Sequence, residues 1–153
     1  MKVCVGGTFN RLHKGHKSIL WKAFDYAGKN GTVFIGLATG NLVKNKQKIN
    51  HLNNRRKKLE EYLLKEGLNN QAVIVPITNK FGLTLEQDFD AIVISPETEK
   101  IATEINHKRV SKGKKPLKIL KIPFVLAKDG KPISSTRINR KEIDENGNLL
   151  YKD

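Results

Sequence analysis

Short apolar, β-branched runs alternate along this chain with longer segments whose apolar positions recur every three or four residues. Lys2 to Val5 reads as a short buried strand running into Gly6-Gly7, and Ile19, Leu20, Ala23, Phe24 and Ala27 share one face of a helix that Gly28 stops. Thr32 to Leu37 predicts a second strand. Leu52, Leu59, Tyr62 and Leu63 predict a second helix ended by Gly67, and Ala72 to Ile77 a third strand. Asp90 to Ile94 is a fourth strand and runs into Ser95-Pro96-Glu97-Thr98. There Ser95 suits an N-cap, Pro96 the first helical position, and the acid the first turn. Ile101, Ala102 and Ile105 give that helix its inner face before Gly113. Leu117 to Ile122 is a fifth strand, and Ser134-Ser135-Thr136 cap a last helix expected to run through Ile138 and Ile143.

This order predicts an α/β fold: a Rossmann-like, doubly wound, mainly parallel five-stranded sheet with helices on both faces. No linker or repeat divides the chain, so residues 1–153 read as a single domain. In such a fold ligands sit beyond the carboxyl ends of the strands. Gly6 to His16, Thr39 to Lys48, Ser95 to Thr98 and the serine-rich turn are therefore expected along one rim.

Charge changes the picture. The chain carries 29 Lys and Arg against 15 Asp and Glu, a formal charge of +14. One acid-free basic run spans Asn41 to Lys58 and another His107 to Lys121. A field of that sign attracts polyanions, nucleotide or nucleic acid. The second run is read as solvated surface and the first as functional. Neither interleaves aromatics densely with its lysines, which argues against a nucleic-acid-binding domain. No apolar stretch is long enough to span a membrane, and no signal-peptide anatomy stands at the start, so a cytoplasmic location is expected. A single cysteine, Cys4, leaves no disulfide pair and no CxxC, and reads as an inert core residue.

The chemistry concentrates after the first strand. Neither GxxxxGK[ST] nor GxGxxG is present; what stands there is Gly6-Gly7-Thr8-Phe9-Asn10-Arg11-Leu12-His13-Lys14-Gly15-His16. The glycines let backbone approach a phosphate, and Thr8 offers a hydroxyl and an amide. His13 and His16 straddle a helix start whose free amides are expected to form an anion site, with Gly15 keeping bulk away. No acid lies between the two histidines and the others, His51 and His107, are remote in sequence, so no protein metal site is expected.

GGTF followed by HxGH, with Ile133-Ser134-Ser135-Thr136-Arg137-Ile138 near the other end, resembles the nucleotidyltransferase superfamily. Gly36-Leu37 to Lys46, Ser95-Pro96-Glu97-Thr98 and Val125 to Pro132 are similar to the archaeal and eukaryotic phosphopantetheine adenylyltransferases. One departure stands out: that family usually carries Asp after GTF, where this chain has Asn10. The exchange removes a negative charge beside the triphosphate, whereas a turn-capping role survives it.

The resemblance implies that ATP and 4′-phosphopantetheine react by in-line displacement, with Mg²⁺ carried on the triphosphate. It implies that His16 donates to an α-phosphate oxygen and that Thr8 holds the acceptor phosphate. Gly7, Phe9, His13, Ser134, Ser135 and Thr136 complete the ATP site. A lysine after the second strand offsets repulsion between acceptor and ATP, Lys44 as first choice and Lys46 as second. Arg55 and Arg56 are open between a solvated helix face and substrate contact, and Trp21 is read as packing. FMN, nicotinamide mononucleotide and glycerol 3-phosphate remain alternative acceptors, an inactive homologue remains a further reading, and the oligomeric state stays open.

Overall fold

The computed structural model describes residues 1–44 and 49–150. Its elements are β1 (Lys2–Gly7), α1 (Lys14–Ala27), β2 (Thr32–Ala38), α2 (Leu52–Lys65), β3 (Ala72–Ile77), β4 (Ala91–Ile94), α3 (Glu99–Ser111), β5 (Lys118–Lys121) and α4 (Ser135–Asn139). The five strands form one sheet in the order β3-β2-β1-β4-β5, and every pairing is parallel. This is the expected doubly wound architecture.

Strand alternation sorts the core into two layers. Val3 and Val5 of β1, Val33, Ile35 and Leu37 of β2 and Val93 of β4 meet Leu20, Ala23, Phe24 and Ala27 of α1 and Leu59 and Leu63 of α2. Cys4, Ile92 and Ile94 point to the opposite face, against Phe89 and α3's Ala102 and Ile105. Burial pushes the Cys4 thiol up to about 12. A third cluster of Ala127, Ile133 and Ile143, with Ile138 and Leu149 against it, supports the segment after β5.

Two helix boundaries differ from expectation. After Ser95 comes a single 3₁₀ turn, Pro96–Thr98, and α3 begins only at Glu99. The Thr98 hydroxyl accepts from the Ser95 N–H at 3.2 Å, closing a tight local turn instead of an α-helical one. The last helix ends at Asn139, not beyond Ile143. Arg140 caps it, Lys141 takes a left-handed φ of 59°, and Ile143 turns into a bridge with Leu149.

Only Val3 and Cys4 of β1 pair with β4, whereas β1 pairs with β2 along its whole length through Gly7. The sheet therefore splays between the C-terminal ends of β1 and β4, where successive crossovers run to opposite sides. Such a switch point is where doubly wound sheets hold ligands.

Candidate active site

A cleft of about 660 Å³ opens at this switch point. Its walls come from Gly6 to Asn10, from His13, Gly15 and His16 of α1, from Ser95, Glu97 and Thr98 after β4, and from the segment around Ser134, Ser135 and Thr136. The two distant signature segments thus meet in one cavity. Arg11 ties them together by donating from Nε to Asn139 Oδ1 at 3.0 Å, and the Lys14 N–H reaches the Glu145 carbonyl at 2.9 Å.

His13 caps α1. Its Nδ1 accepts from the N–H groups of Gly15 (3.0 Å) and His16 (3.4 Å), while His16 Nδ1 accepts from the His13 N–H at 3.3 Å. This reciprocal arrangement is a capping box built from two histidines. It brings the rings into a stack with centroids 3.7 Å apart. Because its Nδ1 accepts from two amides, a neutral His13 ring carries its proton on Nε2, whereas the His16 ring also bonds to the Arg11 backbone. Burial lowers both pKa values, to about 4 for His13 and, with repulsion from His13 adding to the effect, about 3 for His16. Burial thus favours the neutral form of both rings. A Cβ on Gly15 would lie 2.8 Å from the His13 ring, so the glycine between the histidines makes room for the ring.

The expected anion site at free α1 amides is not what forms. The N–H groups of Lys14, Gly15, His16 and Lys17 are all taken, by the Glu145 carbonyl, by His13 Nδ1 twice and by the His13 carbonyl. Capping consumes the donors that the helix start would otherwise offer.

Of the two arginines left open between a solvated face and substrate contact, Arg55 is not on a solvated face. It is 2% exposed. Nη1 donates to the Thr8 carbonyl (2.9 Å) and the Ala38 carbonyl (2.7 Å), each one residue past the last β1–β2 pair, Gly7 with Leu37, and Nε donates to the Asn50 carbonyl at 2.8 Å. Arg56 does face outward and pairs with Glu60. Asn10 is buried, and its Oδ1 accepts from the Asn50 N–H at 2.7 Å. A carboxylate could accept the same bond, which explains why the turn tolerates Asn in that place.

On the serine-rich side, Ser134 Oγ accepts from the Arg137 N–H at 3.2 Å. Arg137 ion-pairs with Asp129 and Glu142 and donates to the Pro132 carbonyl, clamping the turn before the ISST segment onto α4. Hydrogen bonding from Arg137 holds the Asp129 carboxyl below its ordinary range.

Lys44 is exposed and lines neither this cleft nor its neighbour, and Lys46 lies outside the described residues. The neighbouring cavity, about 220 Å³ and mostly apolar, shares Gly6, Gly7, Thr8 and Thr98 with the cleft and runs back toward Phe34, Phe81 and Ile101. The lysine on its wall is Lys80, engaged by Glu104 at 3.0 Å. Trp21 is 45% exposed on α1 and lines neither cavity, so its indole is not a nucleoside platform in this arrangement. Among the described residues no group of three His, Cys, Asp or Glu side chains is placed to hold a metal ion. No described helix is long and apolar enough to cross a membrane.

Residues 4–141 match the cytidylyltransferase-like family. The chain is 44% identical over 149 residues to a phosphopantetheine adenylyltransferase of Methanosarcina mazei, covering 97% of this chain and 96% of that one. It is 40% identical over 152 residues to a phosphopantetheine adenylyltransferase of Archaeoglobus fulgidus, covering 98% of this chain and all of that one. A crystal structure of an Archaeoglobus fulgidus protein of unknown function superposes with a TM-score of 0.72 at 34% identity, over 80% of this chain and 89% of that one.

Proposed function

Since the chain belongs to the cytidylyltransferase-like family and, within it, to the phosphopantetheine adenylyltransferases, we propose that it transfers the adenylyl group of ATP to 4′-phosphopantetheine. The products are dephospho-coenzyme A and pyrophosphate. The observation that supports this reading is the mutually capped histidine pair, which lines the same cleft as Ser134, Ser135 and Thr136.

An acceptor phosphate oxygen attacks the α-phosphorus, the bond from that phosphorus to the bridging oxygen breaks, and its electron pair leaves with pyrophosphate. A phosphate monoester with a second pKa of about 6 is already dianionic at neutral pH, so no side chain has to remove a proton. The work left to the protein is positioning and charge stabilisation. In this role His16 donates to the α-phosphate as negative charge builds, and His13 donates beside it toward the leaving phosphates. Gly7 and Phe9 shape the floor. Ser134, Ser135 and Thr136 bind the β- and γ-phosphates, and Thr8, on the rim shared by both cavities, holds the acceptor phosphate. The adjoining apolar cavity suits the pantetheine arm. Lys44 and Lys46 remain the lysines proposed to offset repulsion between the two anions. Mg²⁺ bound with the triphosphate would neutralise part of its charge, and Glu97, a carboxylate that lines the cleft, would be a side chain available to its water shell.

The test is pyrophosphate release from ATP with 4′-phosphopantetheine, and in parallel with FMN, nicotinamide mononucleotide and glycerol 3-phosphate, with CTP as a second donor. Turnover is expected with ATP and phosphopantetheine alone. His16→Ala is expected to lower kcat by roughly 10²- to 10³-fold, the usual loss of one transition-state donor, with its circular dichroism unchanged. Wild-type turnover in that variant would remove His16 from the mechanism, and activity with a different acceptor would replace the substrate.

A further inference from the structure

We propose that Arg55 is a positioning residue of the transfer step, holding the Thr8–Phe9 peptide so that its N–H is presented, polarised, to a phosphate oxygen in the cleft. The inference rests on the phosphate-transfer reading of the cleft and concerns a residue on α2, below that cavity. Phe9 has a left-handed φ of 48°, a conformation that a non-glycine residue holds only when its surroundings impose it. Two contacts impose it here. The Phe9 ring packs over Gly7, where a Cβ would come within 3.1 Å of it. The carbonyl preceding Phe9, that of Thr8, is held by Arg55 Nη1.

That peptide bond is trans, so its C=O and N–H point in opposite directions. With the oxygen drawn to the buried guanidinium, the Phe9 N–H faces away from Arg55, and both Thr8 and Phe9 line the cleft. Among the described residues this N–H makes no hydrogen bond, while the amides of the nearby helix start are all taken. A cation bonded to the carbonyl end of a peptide withdraws electron density and strengthens its N–H as a donor. Arg55 is also a buried charge whose partners are three carbonyls, with no carboxylate ion-paired to it among the described residues. An anion bonded to the Phe9 N–H would supply, across that peptide, an opposite charge that the ion pairs among the described residues do not. The second carbonyl on Nη1, from Ala38, sets the end of β2 against the same peptide, so strand end and phosphate loop share one anchor.

A mere core strut would affect stability and leave the chemistry of folded molecules alone, and the experiment separates the two roles. Arg55→Lys and Arg55→Ala are assayed for pyrophosphate release with ATP and 4′-phosphopantetheine, with folding followed by circular dichroism. In folded Arg55→Lys we expect kcat to fall roughly 10- to 100-fold, the loss that follows a misplaced reacting group, with a much smaller change in KM for ATP. Low-millimolar guanidinium is expected to restore turnover to Arg55→Ala and not to raise that of the wild type. Wild-type kcat in folded Arg55→Lys overturns the proposal, and if the alanine variant does not fold, the lysine variant alone decides. Should the wild type be silent with this substrate pair, the functional reading fails and calorimetry with tripolyphosphate decides the inference separately. Weaker binding to Arg55→Lys than to the wild type sustains it, and equal binding overturns it.

Discussion

Below about pH 6.5 an unfolded chain protonates its histidines, whereas the folded protein holds His13 and His16 neutral until pH falls to about 4 and about 3, because both rings are buried against each other. Their contribution to stability is therefore complete above pH 6.5 and is lost as pH falls through the two folded-state values. The thermal midpoint of the ligand-free protein is expected to drop through that acid window. His13→Asn keeps a side-chain oxygen to cap α1 and removes one of the two titrating groups, so its midpoint should fall less steeply with acid. Parallel curves for wild type and variant would contradict the assignment. The same pair shows how far residues can be read in a sequence. HxGH marks the two histidines as a unit, yet their spacing does not reveal that the first occupies the cap and consumes the amides an anion would otherwise take.

At the level of elements, the apolar stripes of α1, α2 and α3 were legible because Leu20, Leu59 and Ile105 recur at helical spacing and are buried where expected. The buried arginines were not read, although the signal was present. Arg55 stands four residues before Leu59 and eight before Leu63, and Arg109 four after Ile105, so each continues an inward stripe. Charge masked the periodicity. Arg109 is 1% exposed and donates to the carbonyls of Thr84, Gln87 and Lys115, anchoring to α3 the loop that walls the apolar cavity. Arg109→Met should cost about 3–5 kcal/mol in urea unfolding, because it leaves buried carbonyls without donors; a loss under ~1 kcal/mol would mean that water replaces the side chain. The misread end of α4 has a different origin. Ile138 and Ile143 look like one helical stripe, but Lys141 adopts a left-handed conformation between them and turns the chain. Lys141→Gly relieves that strain and is expected to stabilise the fold by ~0.5–1 kcal/mol in the same assay; a destabilised variant would show that the turn bears no strain.

For the whole molecule, strand content was legible from the β-branched runs, but the order β3-β2-β1-β4-β5 depends on pairings remote in sequence, such as Lys2 with Asp90, where backbone and side-chain bonds join the two. A net charge of +14 draws polyanions toward the molecule. Raising ionic strength from about 0.05 to about 0.5 M should lower kcat/KM several-fold by screening while leaving kcat nearly constant; a salt-independent kcat/KM would place the field away from the cleft. The two halves of the cleft come from residues near 7–16 and 133–140, joined by the Arg11–Asn139 bond and by the Lys14 N–H on the Glu145 carbonyl. During synthesis, then, β1 to β3 can associate on the ribosome long before residue 145 leaves the exit tunnel. The cleft is the last part to close, and nascent chains form a sheet well before they can grip a nucleotide.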